Sequence, residues 1–183
     1  MMAGKHIGKV LIKVRNEESN KYSLKPKPMT ITATTQTWFD SSKVYIIIGG
    51  LGGMGLEMIH WMIFRARKFI LTSRSGIKTN SQRYFFEITN EFMKIIKSKS
   101  QIKVSNLNVI EKQNAKKLFY EAESMGQIGG IFQLALVLHD LLIENQSLKT
   151  FDEVCKPKVD ATINLDNLSR QLNYRLDYFV TFS

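Results

Sequence analysis

The sequence predicts an α/β fold, a doubly wound parallel sheet with strand order 3-2-1-4-5. Three observations predict it. Short apolar runs alternate with stretches of helical spacing through residues 43–183. The first run, Val44-Tyr45-Ile46-Ile47-Ile48, is apolar throughout and rich in β-branched residues, which suits a strand covered on both faces. A glycine cluster follows that run directly and opens a helix. Alternating strands and helices require right-handed crossovers, which place helices on both faces of a parallel sheet.

The elements follow in order. Ile7–Val14 alternates apolar residues with Lys9 and Lys13 and reads as a short strand, so residues 1–15 form a terminal segment of their own. Residues 16–42 read as a linker: a polar run at Asn16–Asn20, the helix-blocking Lys25-Pro26-Lys27-Pro28, then a Thr-rich stretch. The domain proper spans residues 43–183. After the strand at Val44–Ile48 come a helix over about Gly53–Arg67 and a strand at Phe69–Leu71. A helix over Ser81–Lys97 follows, with Phe85, Ile88, Phe92, Ile95 and Ile96 on one side. Then come a strand at Ile102–Val104 and a helix over Glu111–Met125 with Ala115, Leu118, Phe119 and Ala122 inward. A strand at Gly130–Ala135, a long helix over about Thr150–Leu172 and a strand at Tyr178–Phe182 complete the series.

Composition narrows the function classes. The chain has 183 residues, 44% hydrophobic and 23% charged, enough for one domain with its own core. No apolar run approaches the roughly 18 residues that cross a bilayer. Lys5, Lys9 and Lys13 interrupt any secretory h-region. The single Cys155 excludes a disulfide within the chain and suits a reducing compartment, so a cytoplasmic location is expected, away from membranes. His6, His60 and His139 lie far apart and no Cys/His spacing fits a zinc site, so no metal is expected. The formal net charge is +10, but its lysines and arginines are dispersed as on solvated helix faces. That dispersal speaks against nucleic acid and leaves phosphorylated ligands and acidic carrier proteins as partners.

The glycine cluster is Gly49-Gly50-Leu51-Gly52-Gly53-Met54-Gly55, with G-x-G-x-x-G at Gly50, Gly52 and Gly55. A tight turn needs backbone angles that glycine adopts cheaply, and a bare backbone lets a pyrophosphate approach a helix N-terminus. The strand-loop-helix context is that of a Rossmann-like dinucleotide site. The plainer alternative is a turn that only lets helix and strand pack. At the end of the second strand a site for an unphosphorylated ribose carries a carboxylate about 20 residues on. Here the segment is Leu71-Thr72-Ser73-Arg74-Ser75, with no carboxylate. A guanidinium flanked by hydroxyls suits a 2′-phosphate, so the expected cofactor is NADPH. The alternative for Arg74 is a solvated loop residue.

Tyr45–Glu57, Leu71–Gly76, Gly129–Ala135, Leu142–Gln146 and Asp177–Ser183 together resemble the ketoreductase domain of animal-type fatty acid synthase, of the short-chain dehydrogenase/reductase superfamily. Gly4–Val10 resembles the closing strand of the preceding enoyl reductase domain. The resemblance implies reduction of a 3-oxoacyl group carried by an acyl carrier protein, with NADPH as hydride source, inside a dimeric multidomain synthase. It implies cofactor contacts from Gly49, Gly50, Leu51, Gly52, Gly53, Met54, Gly55, Ser73, Arg74, Ser75, Asn108, Val109, Leu134 and Ala135. Asn108 stands where the family places an aspartate against adenine, and an amide can also hydrogen-bond there. The family's catalytic lysine matches Lys158 in Lys156-Pro157-Lys158-Val159, and only the family pattern separates it from Lys156.

Three departures accompany the resemblance. Gln133 replaces an asparagine. The segment Phe64-Arg65-Ala66-Arg67 is one residue short and lacks a helix-ending glycine, so strain is expected in that turn. Ser183 matches only the first of two family serines, and the catalytic serine and tyrosine fall beyond it, which makes the sheet incomplete at the C-terminus. A non-catalytic nucleotide-binding or scaffold remnant is therefore the alternative function. The expected outcome is that the purified 183-residue chain oxidises NADPH negligibly with a simple ketone such as trans-1-decalone. Steady turnover in that assay contradicts it.

Overall fold

A computed structural model of the chain describes residues 37–95 and 100–182. The expected strand at 7–14, the linker up to residue 36, the end of the second helix at 96–97 and Ser183 lie outside the described residues. The chain divides after Gln36, and the described residues belong to the unit Thr37–Ser183.

The element order is β1 (Val44–Ile48), α1 (Gly53–Met62), β2 (Lys68–Thr72), α2 (Asn80–Ile95), β3 (Gln101–Ser105), α3 (Lys112–Glu123), β4 (Ile128–Gln133), α4 (Leu148–Gln171) and β5 (Tyr178–Thr181), with a 3-10 turn at Ile143–Asn145. The five strands form one sheet in the order β3-β2-β1-β4-β5. Every pairing is parallel. The expected fold class and strand order are observed.

β1 lies at the centre and is buried along its whole length. Its side chains alternate between two cores, as the pleat requires. Val44, Ile46 and Ile48 join Ala115, Leu118 and Phe119 of α3 and Ala161 and Leu165 of α4. Tyr45 and Ile47 join Ile59 and Met62 of α1 and Phe69 and Leu71 of β2. The run carries no charged residue because neither face meets water.

Several boundaries differ from the expected ones. α4 begins two residues early because Ser147 caps it. The Ser147 hydroxyl accepts from Thr150 N–H at 3.2 Å, while Thr150 Oγ1 accepts from Ser147 N–H at 2.9 Å. β4 begins at Ile128 rather than Gly130, and its glycine pair lies against Lys43, Tyr45 and Tyr178: a Cβ on Gly129 would stand 2.8 Å from Lys43 Cβ, and one on Gly130 3.0 Å from Tyr178 Cβ. On α2 the expected inward Ile88 is exposed. Phe85 packs on the core as expected, joined by Phe86, and Thr89 is buried.

The expected strain after α1 is absent. α1 ends at Met62, and Ile63 stays in the right-handed helical region. Asn173 is the one non-glycine residue with positive φ among those described. The Arg67 guanidinium donates to the Ile63 carbonyl, and Arg65 and Ala66 N–H groups both return to Met62 O at 2.9 Å. A side chain thus satisfies the orphan carbonyl that a glycine cap would otherwise handle. No described helix is long and apolar enough to cross a membrane.

Packing also reaches into residues 37–42. Phe39 is buried against Tyr45, Trp61 and Tyr178, with ring centroids 5.2–5.4 Å apart. The Tyr45 hydroxyl accepts from Asp40 N–H at 2.7 Å and faces the Asp40 carbonyl at 3.3 Å. Burial pushes the Tyr45 phenol up to about 12. An unfolded tyrosine ionises near pH ~10, so the contribution is fully present below that pH and is lost as pH rises through the folded value. Denaturant unfolding should show stability falling by roughly 2 kcal/mol on this account by pH 12. Tyr45→Phe should flatten that decline, and an unchanged decline in the variant would refute the assignment.

Candidate dinucleotide site

The site lies where strand order reverses, at the C-terminal ends of β1, β2 and β4. The backbone of Gly49–Gly55 turns there from the buried β1 into α1. Gly49 has φ +74, and a Cβ on it would stand 3.0 Å from Ala135 Cα and N. Its N–H donates to Thr72 Oγ1 at 3.2 Å, which ties the turn to β2. A Cβ on Gly55 would lie 2.5 Å from the Gly50 carbonyl oxygen and 2.6 Å from Gly50 Cα. Strand end and helix start therefore touch backbone to backbone.

That contact sets the direction of α1. Gly52 is its N-cap and offers no side-chain acceptor. The first backbone bond of the helix is Leu56 N–H to Gly52 O at 3.0 Å. The N–H groups of Gly53, Met54 and Gly55 have no backbone acceptor among the described residues. Three unsatisfied donors at the positive end of a helix form an anion cradle.

The cleft has a volume of about 450 Å³. The glycine turn forms one wall, Ser73, Arg74 and Ser75 a second, Asn108 and Val109 a third, and Leu134 and Ala135 the floor beside β4. The structure thus brings the sequence-predicted residues Gly49, Leu51, Gly52, Gly53, Met54 and Gly55 into one crevice with Arg74. Gly50 is the exception: it is buried behind the turn and does not line the cleft. Its contact with Gly55 explains why glycine stands there.

Arg74 is the one charged residue among the lining residues, and no carboxylate joins it. It is exposed, with no ion pair among the described residues. Its segment is anchored by Ser73 N–H donating to Ser105 O of β3 at 3.0 Å. The Asn108 side-chain carbonyl accepts from Ile110 N–H at 3.3 Å. Asn164 of α4 donates to the carbonyls of Val109 and Ile110 at 3.2 and 2.7 Å, which fixes that wall.

Lys158 does not line the cleft. Its neighbours Pro157 and Ala161 do. Lys158 is partly buried and donates to the Phe182 carbonyl at the end of β5. Lys156 pairs with Asp152 at 3.4 Å on the solvent side of α4. Gln133, at the end of β4, is fully buried: its amide donates to Pro157 O at 2.8 Å, and its carbonyl accepts from Ala135 N–H at 3.0 Å. It therefore bonds both the cleft floor and the helical turn before Lys158. Sequence reasoning missed Thr72, Gln82, Leu107 and Ile110, which also line the cleft. The signal for Gln82 was the run Thr79-Asn80-Ser81-Gln82, a T-x-x-Q helix start.

Comparison with known proteins adds a family. The model described as "KR domain" matches residues 43–183. The polyketide synthase-nonribosomal peptide synthetase TwmB of Talaromyces wortmannii is 32% identical over 166 residues, 90% of this chain and 5% of its own length. The highly reducing polyketide synthase anuA of Penicillium roqueforti is 32% identical over 181 residues, 97% of this chain and 8% of its own. The chain thus spans less than a tenth of the length of these relatives. They are fungal polyketide synthases, so the narrower resemblance to animal fatty acid synthase is corrected to the wider KR domain. Among solved structures, a ketoreductase domain from the bacillaene assembly line superposes with TM-score 0.72 at 23% identity, covering 84% of this chain and 35% of that one. An N-terminal ketoreductase from the macrolactin assembly line gives 0.68 at 23%, covering 82% and 30%. At that identity they speak for the fold.

Two glycine substitutions separate packing from access. Gly55→Ala should lower stability by about 1–3 kcal/mol, because neither backbone can yield to the added methyl. Gly53→Ala meets nothing within 4 Å and should leave stability within ~0.5 kcal/mol. Thermal unfolding followed by circular dichroism checks both; equal melting of the two variants would refute the backbone contact.

Proposed function

The chain belongs to the KR domain family, and on that premise we propose that its cleft holds NADPH for the reduction of a 3-oxoacyl group borne by a carrier protein in a multidomain synthase. The cofactor class, a nicotinamide nucleotide, accompanies the family. The phosphorylated form is our inference, and one observation carries it: Arg74 stands alone as the charged residue of a carboxylate-free cleft that it shares with an uncapped helix N-terminus.

The residues fit such a cofactor. The amides of Gly53, Met54 and Gly55 would hold the pyrophosphate, and the missing side chains at Gly49, Gly52 and Gly53 leave it room. Arg74, with the hydroxyls of Ser73 and Ser75, would hold the 2′-phosphate through charge-assisted hydrogen bonds. Asn108 and Val109 would border the adenine, and Leu134 and Ala135 would support the remainder. A bound dinucleotide would supply a hydride to the keto carbon. Lys158 would hold a positive charge near the developing alkoxide and lower the pKa of the group that protonates it. Its bond to the Phe182 carbonyl supports a placement at the end of β5, and Gln133 fixes the turn before it.

The names of the relatives support a polyketide rather than a fatty acid product; the fatty acid reading shares the same carbonyl chemistry. Partners on this proposal are an acyl carrier protein and other synthase domains, in a dimeric parent. Residues 1–15 would be the end of a preceding enoyl reductase domain and 16–42 a linker. A second reading is nucleotide binding without chemistry: among the described residues no tyrosine or histidine lines the cleft.

Isothermal titration of the chain with NADPH and NADH tests the proposal. NADPH should bind at least ~10-fold tighter, as a charge-assisted phosphate contact requires. Arg74→Ala should weaken NADPH by about 10–100-fold and NADH by less than ~3-fold. Equal affinities in the unaltered chain, or an indifferent Arg74→Ala, would overturn the NADPH assignment.

A further inference from the structure

α2 opens on a reciprocal cap. Thr79 Oγ1 accepts from Gln82 N–H at 3.2 Å, and Gln82 Oε1 accepts from Thr79 N–H at 3.1 Å and from Lys78 N–H at 2.8 Å. In most such caps the side chain at the fourth position ends its work there, and a glutamate serves as well as a glutamine. Here the other end of the amide is engaged. Gln82 Nε2 donates to the Leu51 carbonyl at 3.0 Å, across 31 residues of sequence and into the middle of the glycine turn. Gln82 lines the same cleft as Arg74.

One side chain therefore joins the two walls. Ser73 N–H bonds to Ser105 O at the near end of the Arg74 segment, and Gln82 bonds to Lys78 and Thr79 at its far end. From that far end the amide reaches the turn that aims the α1 amides. Gly49 N–H already ties the turn to Thr72 Oγ1 at the near end of that loop, and Gln82 adds the tie from its far end. A glutamate could keep both acceptor bonds of the cap. Ionised, it could not donate to Leu51 O, and it would bring a negative charge into a cleft whose lining has none.

Resting on the NADPH reading of this cleft, we propose that Gln82 is a positioning residue that holds the glycine turn and the Arg74 loop at the separation of pyrophosphate and 2′-phosphate, and so sets the preference for a phosphorylated dinucleotide. Its neutrality matters as much as its reach. The donor amide braces the turn, and the absence of charge keeps the phosphate welcome.

The test compares Gln82→Glu with Thr79→Ala in the full chain, by titration with NADPH and NADH and by thermal melting. Gln82→Glu keeps the cap and should melt close to the unaltered chain. Its NADPH Kd should rise about tenfold and its NADH Kd by less than about threefold, since losing the Leu51 bond loosens the spacing that the 2′-phosphate needs and the added charge repels that phosphate. The ratio of variant to unaltered Kd for NADPH should shrink as pH falls from about 7 to about 4, through the ordinary glutamate value of ~4.3, as the protonated acid regains a donor and loses its charge. Thr79→Ala weakens the cap without touching the Leu51 bond, so it should lower the melting temperature and leave the NADPH-to-NADH ratio as it was. Should Gln82→Glu fail to fold, Gln82→Met removes the Leu51 bond without adding charge, together with the acceptor bonds to Lys78 and Thr79, and should still reduce the ratio. A Gln82 variant that folds and keeps the ratio, or a Thr79→Ala that shifts it equally, overturns the proposal while leaving NADPH binding intact. An unaltered chain that binds neither dinucleotide overturns the site itself and Gln82's role with it.

Discussion

Everything at the cleft depends on one close approach, that of the Gly55 and Gly50 backbones. The distance a Cβ would meet, 2.5 Å, leaves no space for any side chain. Because they touch, α1 starts directly at the mouth of β1, and its first amides face the crevice rather than another part of the chain. The positive φ of Gly49 serves the same end by folding the turn against Ala135. A buried central strand supplies the rigid base. The anion cradle is thus a product of sheet packing carried through a few bare residues, not of a loop arranged separately.

The sheet order and the glycine turn were legible because their signals are local and periodic. β1 reads as a two-sided strand from five residues, and α3 shows its inward face at Ala115, Leu118, Phe119 and Ala122 by spacing alone. What was not legible depended on side chains meeting across sequence. The end of α1 lacks the expected glycine, yet Arg67 satisfies the open carbonyl, and nothing in the pattern announces that a guanidinium will fold back four residues. Ile88 fits a helical stripe, but the sheet covers α2 on the side of Phe85, Phe86 and Thr89. At the site, the motif named Gly50 and Gly55 alike, but only packing distinguishes the one that lines the crevice from the one that stands behind it. Gln82 bore a cap signature whose long-range bond no spacing reveals.

α4 unites features that the sequence treats separately. Its middle presents Pro157 and Ala161 to the cleft, places Lys158 beside β5 and sends Lys156 to solvent. The proline at 157 removes one helical donor, and the buried Gln133 amide occupies the carbonyl of that same residue. Farther along, Asn164 reaches the Val109–Ile110 wall. A shift of this helix along its axis would therefore disturb the adenine side and the lysine side together.

The ring of Phe39 has a consequence for where the folded unit starts. The match to the family model begins at Lys43, but the aromatic nest of Tyr45, Trp61, Phe132 and Tyr178 closes only when Phe39 sits within it. A polypeptide begun at Lys43 would carry an unfilled hollow beside its central strand and a phenol stripped of its Asp40 partner. The family model thus draws the edge of the domain four residues inside the limit that its own interior requires.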